Sequence, residues 1–394
     1  MRPFKALLDS DRWVLTLLCA LLYVPGLTAI PPLDRDEARF AQASKQMLER
    51  GDFIAIYFQD QPRAKKPAGI HWLQAAAVRL LGDERGEDIW PYRVPSVLGA
   101  WVAVQLTVSI GRLLFTRAAA FWAAALLAGC VNLVIAAHVA TTDAALLAAI
   151  AAAQWVLATA YVEARRAGGA SRPLSWPRAV VFWSALGIGM LIKGPAGIVV
   201  ALLVAVSLSI ADRDWRWLHT LRPLPGVFVL AAWVLPWSLA ITALTDPQLI
   251  ARALSEDVLA KVWAGQEGHG APPGYHLVAA ILFLWPASLL VPPALVAAWQ
   301  ARQHPGVRFC FAWLIPTWLL FELIATKLPH YVLATYPALT LLTGAALAGA
   351  VPAARAYAAR AARVWVIVWL CMTVAVATTL CTGGLIQSRC KRGT

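Results

Sequence analysis

Pro31-Pro32-Leu33-Asp34-Arg35-Asp36-Glu37-Ala38-Arg39-Phe40-Ala41 follows the first apolar run of the chain and opens an amphipathic helix. Asp34 can cap that helix, and Glu37, three residues on, completes a capping box. Gly51 reads as the helix stop. At helical spacing Phe40, Ser44, Met47 and Leu48 fall on one side, while Arg39, Lys45, Gln46 and Glu49 point elsewhere. Such a helix lies on a membrane surface and does not cross it. Capping accounts for Asp34 and Glu37 without any chemistry. It does not account for Asp36.

The rest of the chain supplies the membrane. Of 394 residues, 60% are hydrophobic and 14% charged, against roughly 25% charged in soluble domains. Many apolar runs approach or exceed the ~20 residues a helix needs to cross a bilayer. The fold class expected is an all-α polytopic membrane protein. The formal charge of +13 does not point to nucleic acid, because the basic residues are spread over loops. The six cysteines form no CxxC pair; Cys19, Cys130, Cys310, Cys371 and Cys381 lie in apolar runs as packing residues, and Cys390 is in a polar tail. Met1 to Arg12 with the following apolar run resembles a signal peptide. No small-residue cleavage site is clear, so it reads as the first anchor.

About eleven spans are expected, at 12–30, 92–111, 118–137, 143–162, 177–192, 195–211, 224–244, 276–298, 307–325, 331–350 and 364–386. Segment 68–82 is apolar but carries His71, Gln74 and Arg79, and reads as a second surface or re-entrant helix. Arginines follow alternate spans: Arg112 and Arg117, Arg165 and Arg166, Arg213 and Arg216, Arg302 and Arg308, Arg355 and Arg360. The positive-inside rule puts these connections in the cytoplasm. The segments 31–91, 138–143, 193–195, 245–275 and 326–331 then face outward. The basic residues 389–392 would land outside, against the rule.

The outward segments hold almost every acid, lysine and histidine that sits hard against a span: Asp143 starts span four, Lys193 separates spans five and six, and Lys327 ends span nine, within which Glu322 lies. Each taken alone fits snorkelling at the interface; together they supply one side of the membrane with charge. Acids and cations at a membrane rim suit group transfer from a lipid-linked phosphate. Cations stabilise the leaving phosphate, and a carboxylate serves as base or stabilises positive charge on a sugar ring. Asp36 and Glu37 offer the acid; Arg63, Lys65, Lys66, Lys193 and Lys327 offer the cations.

Asp36-Glu37-Ala38-Arg39-Phe40-Ala41 resembles the first-loop motif of GT-C glycosyltransferases that use polyprenyl-phosphate sugars. The branch it resembles most is the lipid A 4-amino-4-deoxy-L-arabinose transferases, kin of the protein O-mannosyltransferases. Further likenesses follow in order: Gly51-Asp52-Phe53, Lys66-Pro67 through Trp72, Thr142-Asp143, Lys193-Gly194 and Lys327-Leu328-Pro329-His330-Tyr331. The resemblance implies Asp36 as catalytic acid with Glu37 beside it. It implies Lys66, Lys327, Lys193 and Tyr331 as binders of the donor phosphate, and Arg39, Asp143, His71 and His330 in the substrate pocket. A span-four cap for Asp143, a break between half-spans for Lys193 and an interface aromatic for Tyr331 are the plain alternatives.

By the same resemblance the partners are a polyprenyl-phosphate-linked sugar donor and an acceptor such as lipid A, another glycan or a protein, amid membrane lipids and without nucleic acid. The setting is a bacterial inner membrane with the active site facing the periplasm. Lys65 stands where the family often has a glutamate associated with a metal, so no cofactor is assigned. A divalent metal held by Glu267, His269 and His276 is an alternative that lacks metal-ligand spacing. Residues 1–386 are expected to form one transmembrane domain, with 31–91 as outer catalytic loop, 245–275 as outer flexible loop and 387–394 as a short tail. No C-terminal soluble domain like that of relatives is expected. A transporter or flippase for a lipid-linked or anionic solute is the competing reading, and it calls for ionisable groups near mid-membrane.

Overall fold

The computed structural model describes residues 10–32, 34–62, 66–82, 86–168, 172–244 and 271–350. Helix α1 (Ser10–Tyr23) leads into a small surface layer. That layer holds α2 (Arg35–Arg50), an antiparallel hairpin of β1 (Tyr57–Phe58) and β2 (Gln61–Pro62), and α3 (Gly69–Leu81). The bundle follows: α4 (Trp90–Leu114), α5 (Arg117–Gly129), α6 (Val131–His138), α7 (Asp143–Arg166), α8 (Trp176–Lys193), α9 (Ala196–Asp212) and α10 (Pro223–Leu244). After residue 270 come α11 (Tyr275–Phe283), α12 (Val291–Gln300) and α13 (Pro305–Leu323). A 3-10 turn (Pro329–Thr335) then runs into α14 (Tyr336–Leu347).

Helix α2 starts where its cap predicts. The Asp34 side chain accepts from the Asp36 amide at 3.4 Å, and Gly51 ends the helix at φ +67°, a left-handed conformation cheap only for glycine. Phe40, Ala43, Ser44 and Met47 form its buried face, with Leu48 packed partly against the same cluster. Glu37, the other residue of the expected capping box, turns into the protein and is fully buried.

Helix α7 is the axis of the bundle: 78% of its apolar stretch is buried, against 0% for α10. Its alanines (Ala144, Ala151, Ala153, Ala158 and Ala160) are buried and let neighbouring backbones approach closely, as small residues do between membrane helices. Helix α10 stands at the edge with Leu224, Phe228 and Leu239 exposed, a face suited to lipid. By length and composition α4, α7, α10 and α13 can each cross a membrane. A fifth span results if α5 and α6 count as one.

Two expected spans are broken. The run 118–137 bends by 57° between α5 and α6; at the bend the Val131 amide is taken by Trp285 O at 3.0 Å and not by its own helix. The run 276–298 is interrupted between Phe283 and Val291, where Pro286 leaves the helix one donor short. The surface helix expected at 68–82 is α3, and the expected span 364–386 and tail lie outside the described residues.

The two ends of the bundle differ in chemistry. At the C-terminal end of α7, Asp212 binds Arg165 at 2.7 Å and Arg308, and accepts from Tyr161 Oη at 2.7 Å. Asp11 binds Arg112 at 2.8 Å and Arg117 at 2.6 Å. These arginines are among those assigned to the cytoplasmic connections. The N-terminal end of α7 carries Asp143. The 24 residues between them rise about 36 Å at ~1.5 Å each, longer than the ~30 Å hydrocarbon core.

Candidate active site at one rim of the bundle

Asp143 opens α7 and Lys193 closes α8, so antiparallel packing of two helices brings an acid and an ammonium to the same rim. The two side chains form an ion pair, each still reached by solvent at 13% and 17% exposure. Thr141 Oγ1 donates a long hydrogen bond to the other Asp143 oxygen at 3.4 Å. The 3-10 turn before α14 delivers two more groups. His330 Nε2 lies 3.9 Å from the Asp143 carboxylate, and the Lys193 ammonium stands 5.7 Å over the Tyr331 ring.

The surface layer adds the rest. Gly69, at the start of α3, packs so close to α8 that a Cβ there would come within 2.7 Å of Leu191 O. That contact brings the preceding segment to the end of α8, and Lys66 acts electrostatically on both Asp143 and His330. Asp34, at the start of α2, also acts on His330. Burial pushes the His330 imidazole down to about 4; Lys193 and Lys66 push the same way and Asp143 opposes them. At neutral pH the ring is therefore uncharged, and the positive groups of the cluster are the two lysines.

The remaining expected site residues have other placements. Asp36 is half-exposed on the first turn of α2 and pairs with Arg39 at 3.3 Å. Glu37, expected beside it in the pocket, is fully buried. It takes Arg93 Nε at 2.7 Å, Nη2 at 3.3 Å and the Ala140 amide at 3.0 Å. Arg93 also donates to Leu27 O at 2.7 Å and Ile30 O at 2.8 Å. This pair ties α2 to α4 and to the turn before α7, so Glu37 braces the loop from inside the protein.

Lys327 is placed apart from the rim cluster. Its ammonium is buried against Glu322 O at 2.6 Å and Ile324 O at 2.8 Å, not presented to the rim. His71 is placed apart as well. Its ring stacks on Phe40, with centroids 5.5 Å apart, and meets Ser44 Oγ at 2.8 Å; Ser44 in turn donates to Gln74 at 2.6 Å. It joins α2 to α3 inside the surface layer.

Arg93 is not among the expected site residues, although an arginine inside an apolar run announces a buried partner. It gave Asp34 a cap alone, where the structure adds an electrostatic role at the rim. Among the described residues no group of three His, Cys, Asp or Glu side chains is placed to hold a metal. His276 is closed between Glu322 at 2.9 Å and Leu328 O at 3.2 Å; Glu267, His269 and Lys65 lie outside the described residues.

Residues 65–239 match the family model described as dolichyl-phosphate-mannose-protein mannosyltransferase. Among curated proteins, an undecaprenyl phosphate-α-4-amino-4-deoxy-L-arabinose arabinosyl transferase of Pseudomonas fluorescens is 28% identical over 347 residues, covering 86% of this chain and 60% of that protein. The corresponding transferase of Pseudomonas aeruginosa strain UCBPP-PA14 is 29% identical over 340 residues, covering 83% and 59%. Among solved structures, ArnT from Cupriavidus metallidurans bound to undecaprenyl phosphate superposes with a TM-score of 0.76 at 22% identity, covering 86% of this chain and 61% of that one. The Archaeoglobus fulgidus oligosaccharyltransferase superposes at 0.57 and 12% identity, covering 86% and 50%. The fold is therefore that shared with ArnT and, more distantly, with the oligosaccharyltransferase. Within it, the chain resembles the undecaprenyl-phosphate aminoarabinose transferases. It spans about 60% of the length of the curated relatives it matches.

Proposed function

We propose that this chain is an integral membrane glycosyltransferase of the bacterial inner membrane, with about eleven spans, that moves a sugar from a polyprenyl-phosphate carrier to a lipid, glycan or protein acceptor at the periplasmic rim. The observation that supports the reading is the meeting of Lys66, Asp143, Lys193, His330 and Tyr331 at the end of the bundle opposite the arginine clusters. Two ammonium groups beside one carboxylate, at the edge of an apolar bundle, suit a phosphate whose lipid tail stays in the bilayer.

In the proposed reaction an acceptor hydroxyl attacks the anomeric carbon. The bond between that carbon and the phosphate oxygen breaks, and its electron pair leaves on the polyprenyl phosphate. Lys193 and Lys66 hold the charge that develops on the phosphate, while Asp143 fixes the position of Lys193. The hydroxyl proton passes to a carboxylate at the start of α2. The motif favours Asp36 for that role; nearness to His330 favours Asp34. The outward orientation rests on the arginines gathered at the other end.

A transporter would carry its charges near mid-membrane. Lys193 is the last residue of α8 and Glu322 lies in the last turn of α13. Purified protein in liposomes, supplied with a polyprenyl-phosphate sugar and acceptor lipid, separates the two. Formation of a new glycosidic bond, reduced at least ~100-fold in Asp36→Asn or in Asp34→Asn, is the result expected for removal of a general base. Movement of unchanged donor across the bilayer without any new bond contradicts the transferase reading.

A further inference from the structure

Lys327 precedes a turn that reaches the rim, yet its ammonium points back into the protein. Helix α13 ends at Leu323, and a helix end leaves carbonyls without partners. The Lys327 ammonium takes two of them, Glu322 O at 2.6 Å and Ile324 O at 2.8 Å, and lies 3.8 Å from the Glu322 carboxylate. That carboxylate does more than balance Lys327. It accepts the His276 amide at 3.2 Å and lies 2.9 Å from His276 Nδ1, at the start of α11. The other ring nitrogen of His276 lies 3.2 Å from Leu328 O.

One carboxylate thus joins the end of α13, the start of α11 and the strand-like segment 327–328. The next residues are Pro329, His330 and Tyr331. Asn132 of α6 donates to Pro329 O at 3.0 Å and holds the same turn from the other side. His276 is fully buried, Lys327 is 4% exposed and the Glu322 side chain is 11% exposed, so water contributes little to balancing these charges.

We propose that Glu322 and Lys327 are positioning residues: the buried Glu322–Lys327–His276 node sets the turn that carries His330 to Asp143 and Tyr331 to Lys193, and the Lys327 charge does not touch the donor phosphate. The proposal rests on the reading of the rim cluster as a lipid-phosphate site. It differs from a binding role for Lys327 in a measurable way. A phosphate-binding ammonium cannot be replaced by removing its internal counter-ion. A latch ammonium can, because the harm in either single variant is a buried charge left alone.

The test uses the purified full chain in detergent as wild type, Lys327→Met, Glu322→Gln and the double variant. Undecaprenyl phosphate affinity and the thermal midpoint are both read. Each single variant is expected to bind about tenfold more weakly and to melt earlier, and the double variant to return most of both losses. A double variant that regains its midpoint yet binds as weakly as Lys327→Met overturns the proposal, because Lys327 then acts on the phosphate itself. Single variants that melt and bind as wild type overturn it as well. If wild-type protein binds no undecaprenyl phosphate, the transferase reading fails. The latch is then judged on the midpoint alone, upheld by recovery in the double variant and overturned without it.

Discussion

Asp36 and Glu37 are neighbours in sequence, and on a helix neighbours point about 100° apart. They cannot share one pocket wall, and here one faces solvent beside Arg39 while the other is sealed against Arg93. Removing one partner of a buried ion pair leaves the other uncompensated, at about 3–5 kcal/mol. Glu37→Gln is therefore expected to lower the thermal midpoint and the yield of folded protein, measured by fluorescence-detected chromatography over a temperature series. A conservative Glu37→Asp, too short to span to both Arg93 and the Ala140 amide, is expected to recover little. His330 gives a prediction in pH. Its folded value is held near 4 against about 6.5 in an unfolded chain, so the unfolded chain binds the extra proton as pH falls between these values. Stability should fall from pH 6.5 towards 4, and His330→Gln should remove that part of the slope in a midpoint-versus-pH series. Which residue types belong to the rim was legible in the motifs. Which of two adjacent acids faces it was not, because that depends on the phase of α2 against α4.

The surface layer is placed by contacts that leave only a faint mark in sequence. A Cβ on Gly69 would meet the Leu191 carbonyl at 2.7 Å and its carbon at 2.8 Å, both backbone atoms that cannot swing aside. Gly69→Val is expected to push α3 away from α8 and to take Lys66 with it. The cost should be about 1–3 kcal/mol, as for other overpacked contacts, with donor affinity falling more than in a Val substitution at exposed Gly51. Parallel midpoint and binding measurements on the two variants check this. Amphipathic spacing revealed α2 and α3 because one side of each packs and the other is wet. It could not show that α5–α6 bends or that α11 and α12 are separate. Those breaks depend on Trp285 O capturing the Val131 amide and on prolines whose effect depends on neighbours.

Among the described residues, two different charge clusters stand at opposite ends of the bundle. Arg165, Arg308, Arg112 and Arg117 gather around Asp212 and Asp11 at one end of the bundle; Lys66, Lys193, Asp143 and His330 meet at the other. The alternation of arginine-bearing connections made this sorting readable before any coordinates, since insertion itself responds to it. The convergence of segments as distant as Lys66 and Tyr331 was readable only as a list of candidates. Lys327 matches the same motif as Tyr331, yet its ammonium is engaged by the end of α13. The central claim is that the rim cluster holds a lipid-linked phosphate. Its most direct test is the equilibrium affinity of the purified protein for undecaprenyl phosphate, compared between wild type and Lys193→Met. Measurable binding is expected in the wild type, with a loss of at least about tenfold in the variant, which lacks a cation and leaves Asp143 to repel the anion. Equal affinity in the two proteins would contradict it.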